Sequence, residues 1–240
     1  MISVIPVEGL PEVEAGADLG ALIATAAELE DDDVVVVAQK VVSKAEGRVV
    51  RLEEIEPSER ALELANDDDP RRTEAILREA AEIVRIRPPL LIVQTRHGFT
   101  CASAGVDASN APEPGMLVLL PLDPDASAAR IRGRVRELTG KSVGVVVSDS
   151  FGRPWRMGTT DVAIGAAGIR VLEDLRGTKD RIGYELRSTQ IAIADELAGA
   201  AQLVMGKADG IPVAVIRGLD VAGDGAAVEL VMPPERDLFR

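Results

Sequence analysis

The chain is poor in aromatic residues and contains one cysteine and one histidine. Aromatic side chains are 2% of its 240 residues, whereas apolar residues as a whole are 46%. The core must therefore be built from aliphatic side chains and alanine. The lone Cys101 has no partner for an internal disulfide, so the sequence predicts a protein of the reducing cytoplasm.

Long hydrophobic runs are also missing from the sequence. No stretch reaches about 18 consecutive apolar residues, which argues against a membrane-spanning helix. The segment from Met1 to Pro6 places no basic region ahead of an apolar one, so no secretory signal is expected.

Lysine is scarce, with five residues against 22 arginines, and the formal net charge is −13. A surface of this charge repels the phosphate backbone, so nucleic-acid binding is not expected. High acid with little lysine is typical of salt-adapted cytoplasmic proteins, and a halophilic source is one interpretation. Ordinary surface acidity of a protein from a GC-rich genome is the other.

Apolar patterning predicts an α/β protein with mixed sheets, because strands and helices are interspersed along the chain. Several strands follow one another without a helix between them, which does not suit a simple doubly wound sheet. No linker divides the chain, so residues 1–240 are treated as one domain. Strands are predicted at residues 2–7, 34–38, 48–52, 90–95, 116–120, 142–148 and 213–217. Helices are predicted at residues 19–29 (capped by Asp18), 58–66, 70–84, 126–138 (ending at Gly140) and 190–205.

Loops after buried strands usually carry function in α/β proteins, and four segments are candidates. The first, residues 39–47, follows the apolar run 34–38 and brings Lys40, Ser43 and Lys44 to a strand end. Lysine binds phosphate as a point charge. The alternative is a solvated hairpin whose two lysines have no function.

The second segment, residues 104–110, carries Asp107 and Asn110 three positions apart. A carboxylate and an amide suit a hard cation or a ribose. Asp and Asn also favour turns for purely local reasons, and that alternative stays open.

The third segment, residues 148–156, follows another apolar strand and contains Asp149 and Ser150. A carboxylate at the end of a buried strand costs free energy unless it is compensated, which favours a divalent cation there. Arg153 and Arg156 are candidates for neutralising phosphate. An ordinary strand-to-loop exit with exposed arginines is the alternative.

The fourth segment, residues 205–212, contains two glycines and Lys207. Glycines allow a ligand to approach the backbone closely. The alternative is a helix C-cap followed by a turn.

Two other signals are interpreted as structural. Thr139 to Ser142 resembles the end of a phosphate-binding P-loop, but Val135 stands where that motif needs glycine, and a strand follows rather than a helix. His97 has no metal-ligand spacing to Cys101 or to a second histidine.

Six collinear segments resemble the coenzyme F420-0:L-glutamate ligase family, and the similarity runs from Ile5 to Gly223. These segments are residues 10–13, 42–48, 104–110, 120–126, 148–156 and 206–212.

The resemblance implies that GTP phosphorylates the terminal carboxylate of the F420-0 precursor and that L-glutamate attacks the acyl phosphate. A second glutamate is then added through a γ-link. The resemblance also implies Mg²⁺ or Mn²⁺, often with K⁺, and a distinctive α/β fold of two interlocked subdomains in an intertwined homodimer.

Carried over by position, the resemblance implies a cation on Asp107 and Asp149, a second cation near Ser150, and a catalytic role for Asp107, Asp149 and Lys44. Several relatives have Thr where Ser150 stands, which keeps the hydroxyl. The resemblance assigns the nucleotide to Leu10, Pro11, Glu12, Val13, Gln39, Lys40, Lys44, Asn110, Met205, Gly206, Lys207, Ala208, Asp209, Gly210 and Ile211.

Two rival functions remain open at this point. One is a related ATP- or GTP-dependent carboxylate–amine ligase that acts on another acceptor, because no motif identifies the acceptor pocket. The other is a non-catalytic nucleotide-binding protein, which would bind nucleotide without consuming it.

Overall fold

The computed structural model describes residues 1–238, in which twelve strands and six α-helices follow one another in irregular order. No helix within this range is long and apolar enough to cross a membrane. The strands are β1 Ser3–Pro6, β2 Val34–Ala38, β3 Val49–Arg51, β4 Ala80–Arg87, β5 Leu90–Thr95, β6 Thr100–Ala102, β7 Met116–Val118, β8 Gly144–Arg153, β9 Arg156–Ala167, β10 Glu173–Asp174, β11 Gln190–Ile191 and β12 Val213–Arg217. The helices are α1 Leu19–Ala26, α2 Gln39–Ala45, α3 Glu59–Ala65, α4 Pro70–Glu79, α5 Pro124–Thr139 and α6 Ile193–Met205.

The central sheet has five strands in the order β1-β12-β2-β8-β9. Its one parallel pair is β2 with β8, and the other neighbours are antiparallel. Smaller antiparallel sheets form from β4-β5-β6, from β3-β7 and from β10-β11. The mixed α/β architecture predicted from the sequence is confirmed.

The central strand β2 is buried on both faces, as its unbroken valine run predicted. Successive side chains of a strand point to opposite faces, so Val35 and Val37 pack in one core cluster and Val34 and Val36 in another. The first cluster contains residues of α1 and α5, and the second contains residues of α6. A third cluster lies around β3, β5, β7, α3 and α4.

Two helix-end predictions are confirmed. Asp18 accepts a hydrogen bond from the Ala21 amide at 3.0 Å and so caps α1. Gly140 takes a left-handed backbone and its amide donates to the Arg136 carbonyl, which ends α5. Helix α1 ends at Ala26, however, and not at residue 29.

The predicted helix 70–84 is wrong beyond Glu79. Residues 80–87 form β4, and the Pro88–Pro89 pair closes a hairpin with β5 rather than a helix. No glycine or proline marks the change from helix to strand. Glu79, Ala80 and Ala81 are good helix formers, so the helical pattern runs past the true end of α4. The β-branched residues Ile83 and Val84 favour the strand instead.

The predicted loop 39–47 is also wrong, because β2 passes directly into α2. Helix α2 begins after Ala38, whose methyl group cannot accept a capping hydrogen bond. The usual signal for the start of a helix is therefore missing. At the other end of the chain, α6 begins at Ile193 rather than 190, since Gln190 and Ile191 pair with β10.

The expected strand-to-loop exit at residues 148–156 is replaced by a hairpin. Strand β8 continues to Arg153 and pairs with β9, which the sequence pattern did not predict. Strand β9 begins with polar and glycine positions that show no alternation, so it carries a weak strand signal. Asp149 and Ser150 therefore lie within a paired strand, which fixes their backbone.

Strand β9 packs closely on the first turn of α5 at Gly165, where an added Cβ would lie 2.2 Å from the Pro124 carbonyl oxygen. We expect Gly165→Ala to lower the free energy of unfolding by about 3 kcal/mol, because that backbone oxygen has little room to move. Gly133→Ala is the matched control: Gly133 is an exposed residue of α5 with nothing within 4 Å of the added Cβ. It should raise stability by about 0.5–1 kcal/mol. Equal denaturant midpoints for the two variants would contradict this packing.

Candidate active site

One cavity of about 440 Å³ opens where β2 ends and β8 continues past it. Its volume falls in the range of small-molecule sites, and ligands of α/β proteins usually bind beyond the carboxyl ends of parallel strands. Twenty-four residues line it, from residues 10–13, the β2–α2 junction, residues 109–112, strands β8 and β9, and the segment after α6.

The structure brings together all four segments singled out from the sequence, together with residues 10–13. All but two of the residues that the family resemblance assigns to the site line this cavity. The exceptions are Asp107 and Asp209. Asp107 is hydrogen-bonded to Lys40 and Ser109, which do line it. Asp209 lies beside Gly206, where its carboxylate would block any added Cβ.

Lys40 joins two of the predicted segments, because its Nζ donates to Asp107 Oδ2 at 2.6 Å. The Ser109 hydroxyl and amide also donate to Asp107. Burial opposes ionisation of Asp107, but these hydrogen bonds outweigh it and hold the pKa of Asp107 at about 2. Asp107 is therefore a carboxylate at neutral pH.

The pKa of Asp149 is shifted in the opposite direction from that of Asp107. Burial raises its pKa to about 6, and the nearby charge of Asp161 adds to this, while the Ser150 amide, Lys40 and Lys207 lower it. The charge of Lys40 thus acts on both Asp107 and Asp149. A partly buried carboxylate with a raised pKa in a polar cavity is a common mark of a functional site.

Lys44 joins α2 to residues 10–13 through an ion pair with Glu12, at 2.5 Å between Nζ and Oε1. The Lys44 side chain is 8% exposed and that of Glu12 is 74% exposed. A buried ammonium requires an anionic partner, so Lys44 is a strong site for a carboxylate or phosphate oxygen.

Asp161 is a lining residue that the sequence analysis missed. It is buried, and it accepts hydrogen bonds from the hydroxyls of Ser150, at 2.5 Å, and Ser148, at 3.1 Å. A charged residue at the head of the apolar run Val162 to Ala167 was the available signal. The hairpin register that places it opposite Ser150 could not be inferred without β9.

Two candidates lie away from the cavity, and a third has its side-chain amide bound within the protein. Arg153 and Arg156 lie at the end of the β8–β9 hairpin and do not line the cavity, and Arg153 donates to the Met157 carbonyl. Gln39 lines the cavity, but its amide nitrogen is held by Ser43 and by the Leu119 carbonyl. It therefore anchors α2 to the segment after β7.

His97 and Cys101 also lie outside the residues that line the cavity. The ring of His97 stacks on Phe99, and its Nε2 lies 2.8 Å from the Pro121 carbonyl oxygen. Burial raises the pKa of Cys101 to about 12, with a smaller contribution from the charge of Asp149. A thiol of that pKa does not serve as a nucleophile at neutral pH.

The donor chemistry of the cavity suits a hard divalent cation. Asp107 and Asp149 offer carboxylate oxygens and Ser150 a hydroxyl, which are ligands that Mg²⁺ and Mn²⁺ accept. Within residues 1–238, no three His, Cys, Asp or Glu side chains form a metal-binding group by themselves. Mg²⁺ commonly binds through one or two carboxylates with substrate phosphates and water, and these residues fit that mode.

The cavity combines lysines, carboxylates and a hydroxyl. Enzymes that transfer phosphoryl groups place these groups around nucleotide phosphates and their cations. A family model described as F420-0:Gamma-glutamyl ligase matches residues 9–218. The chain belongs to this family.

Curated relatives extend the similarity over the whole chain. A protein of Methanopyrus kandleri named coenzyme F420:L-glutamate ligase is 50% identical over 247 residues, which cover 100% of this chain and 97% of the relative. Proteins with the same name from Methanothermobacter thermautotrophicus and Archaeoglobus fulgidus are 46% and 47% identical. Each comparison covers 100% of this chain, with 99% and 96% of the respective relative.

Proposed function

We propose that this protein is a GTP-dependent ligase that adds L-glutamate to coenzyme F420-0, one residue first and a second through a γ-link. The observation that carries the proposal is the arrangement around Lys40, whose charge acts on both Asp107 and Asp149 beside a cavity lined by further lysines. Membership of the ligase family and the names of the full-length relatives support the same reaction.

Phosphoryl transfer needs alignment and charge neutralisation more than a nucleophilic side chain. In this proposal Lys40 and Lys44 bind phosphate oxygens, and Lys44 exchanges Glu12 for a phosphate oxygen. The nucleotide contacts residues 10–13, Gln39, Asn110 and residues 205–211, nearly all of which line the cavity.

Asp107 and Asp149 would hold one divalent cation, and Ser150 would contribute to a second. When bound, Mg²⁺ or Mn²⁺ neutralises the triphosphate oxygens during the transfer. Asp107 is ionised at neutral pH, and its low pKa keeps it so in mild acid. The two carboxylates would therefore bind the cation that neutralises the negative charge of the triphosphate.

The reaction balances in two steps. A carboxylate oxygen of F420-0 attacks the γ-phosphorus of GTP, so that the bond to the bridging oxygen breaks and GDP leaves. The amine of glutamate then attacks the acyl carbon, loses a proton and expels phosphate. The first step converts a poor electrophile into one with a phosphate leaving group, and the cavity groups neutralise the charge that develops.

Further properties belong to the same proposal by family resemblance. They are a requirement for K⁺, two interlocked subdomains and an intertwined homodimer. The third core cluster, around β3, β5 and β7, supports a division into two subdomains. The net charge of −13 supports a salt-adapted protein.

Incubation with F420-0, GTP, L-glutamate and Mn²⁺, followed by mass spectrometry, tests the proposal. We expect the deazaflavin product to gain the mass of one or two glutamyl residues, with one GDP formed for each residue added. Omission of glutamate should prevent the gain of glutamyl mass.

The rival functions predict other results in the same assay. A ligase with a different acceptor would leave F420-0 unchanged but would form an amide with another carboxylate of a panel. A non-catalytic binding protein would bind GTP and release no GDP when both co-substrates are present. Either result would contradict the proposed function.

A further inference from the structure

Asp161 is a buried carboxylate without a cationic side chain to balance it. It is 7% exposed, and no Lys, Arg or His in residues 1–238 forms an ion pair with it. An ionised carboxylate in such a place costs free energy unless hydrogen bonds and a cation compensate it. Two serine hydroxyls provide the hydrogen bonds, but no side chain of residues 1–238 provides the cation.

The bond between Ser150 and Asp161 fixes the direction of a hydroxyl proton. A serine hydroxyl has one proton to donate and two lone pairs to offer. Ser150 donates its proton to Asp161 Oδ1 at 2.5 Å, so both lone pairs of Ser150 Oγ stay available to a ligand in the cavity. A cation requires lone pairs and is repelled by a hydroxyl proton that points at it.

The framework around Asp161 is rigid. Asp161 pairs with Ser150 across the β8–β9 hairpin, and its backbone amide donates to Gln202 Oε1 of α6 at 3.1 Å. Its other carboxylate oxygen accepts from Ser148. Two hydrogen bonds from β8 and one to α6 hold Asp161 in one orientation, as partners of metal ligands must be.

We propose that Asp161 is a positioning residue that holds the Ser150 hydroxyl with its lone pairs towards a divalent cation in the cavity. This inference rests on the proposed function and deepens it, because it assigns the orientation of the second-cation ligand to a residue outside the family resemblance. Asp161 acts through Ser150 and is not itself a ligand of the cation.

Binding of Mn²⁺ in the presence of GDP, measured by electron paramagnetic resonance, tests the inference. Asp161→Asn should weaken binding at the Ser150 site about tenfold, the usual effect of removing a partner of a metal ligand. The amide can turn its N–H towards Ser150, which would rotate the hydroxyl proton towards the cation. Circular dichroism should show the same fold for the variant.

Asp195→Asn is the matched control, since Asp195 is a partly buried carboxylate that accepts from the Ala163 amide of β9 and does not line the cavity. It makes the same chemical change against the same strand, and we expect Mn²⁺ affinity to change by less than about twofold. A tenfold loss in both variants would overturn the proposal, because a general disturbance of β9 would explain it.

A double-mutant cycle distinguishes positioning from direct binding. If Asp161 acts through Ser150, then Asp161→Asn should weaken Mn²⁺ binding by less than about twofold in a Ser150→Ala background. A further tenfold loss there would overturn the proposal in favour of direct ligation by Asp161. Failure of the wild-type protein to bind Mn²⁺ would also overturn it, whereas the product mass assay judges glutamate ligation independently.

Discussion

Asp149→Asn should lower glutamate ligation about a thousandfold and leave the fold intact. The change keeps the shape of the side chain and removes the charge that the proposal assigns to cation binding. Burial raises the pKa of Asp149, so the fold disfavours the ionised form. A neutral amide at this position should therefore cost little stability, and the melting temperature should stay equal or rise.

The rate of Asp149→Asn should be measured as GDP release at several Mn²⁺ concentrations beside Asp195→Asn. Burial also raises the pKa of Asp195, but this carboxylate is bonded to the Ala163 amide and does not line the cavity. The control should keep the wild-type rate within about threefold. If Asp149→Asn turned over at the wild-type rate at matched Mn²⁺ concentration, a role for Asp149 in cation binding would be contradicted.

Lys44→Met should weaken guanine nucleotide binding about a hundredfold, or roughly 3 kcal/mol. Methionine keeps much of the volume of the buried stem and loses the ammonium. Because Lys44 is nearly enclosed, water cannot replace its charge at a phosphate oxygen. The loss should be larger for GTP and GDP than for guanosine, which has no phosphate.

Lys141→Met is the matched control for this variant. Lys141 is one of only five lysines, its side chain is 40% exposed, and it faces Asp31 at 3.6 Å outside the cavity. Calorimetric titration with GDP should show the affinity of the wild-type protein. Equal GDP affinities for Lys44→Met and Lys141→Met would contradict phosphate binding by Lys44.

The central part of the fold was predictable because its signals are local. The valine run of β2 requires burial on both faces, and Asp18 and Gly140 end helices by short-range hydrogen bonds. The element boundaries that failed lack such signals. Helix α2 has no capping side chain, and α4 passes into β4 without glycine or proline.

The candidate site was predictable as segments but not as contacts. Polar residues after apolar strands indicated Lys40, Asp107 and Asp149, and the topology brings these segments to one cavity. The bonds that define their charge states join residues far apart in sequence. The ion pair of Lys44 with Glu12 requires residues 10–13 to lie beside α2, which no local pattern encodes.

Asp161 shows the same limit most clearly. Its position opposite Ser150 follows from the register of the β8–β9 hairpin, and β9 has polar, glycine and alanine residues that predict no strand. Without that pairing, the only signal for Asp161 among 40 acidic residues is its place ahead of the apolar run Val162 to Ala167, which does not connect it with Ser150. With it, Asp161 is the acceptor for the Ser150 hydroxyl.

The most direct measurement is a crystal structure with Mn²⁺ and GDP, in which anomalous scattering locates the metal. We expect a Mn²⁺ ion about 2–2.3 Å from carboxylate oxygens of both Asp107 and Asp149, which also contacts the diphosphate. A Mn²⁺ ion bound by only one of these aspartates, or a diphosphate bound elsewhere, would contradict it.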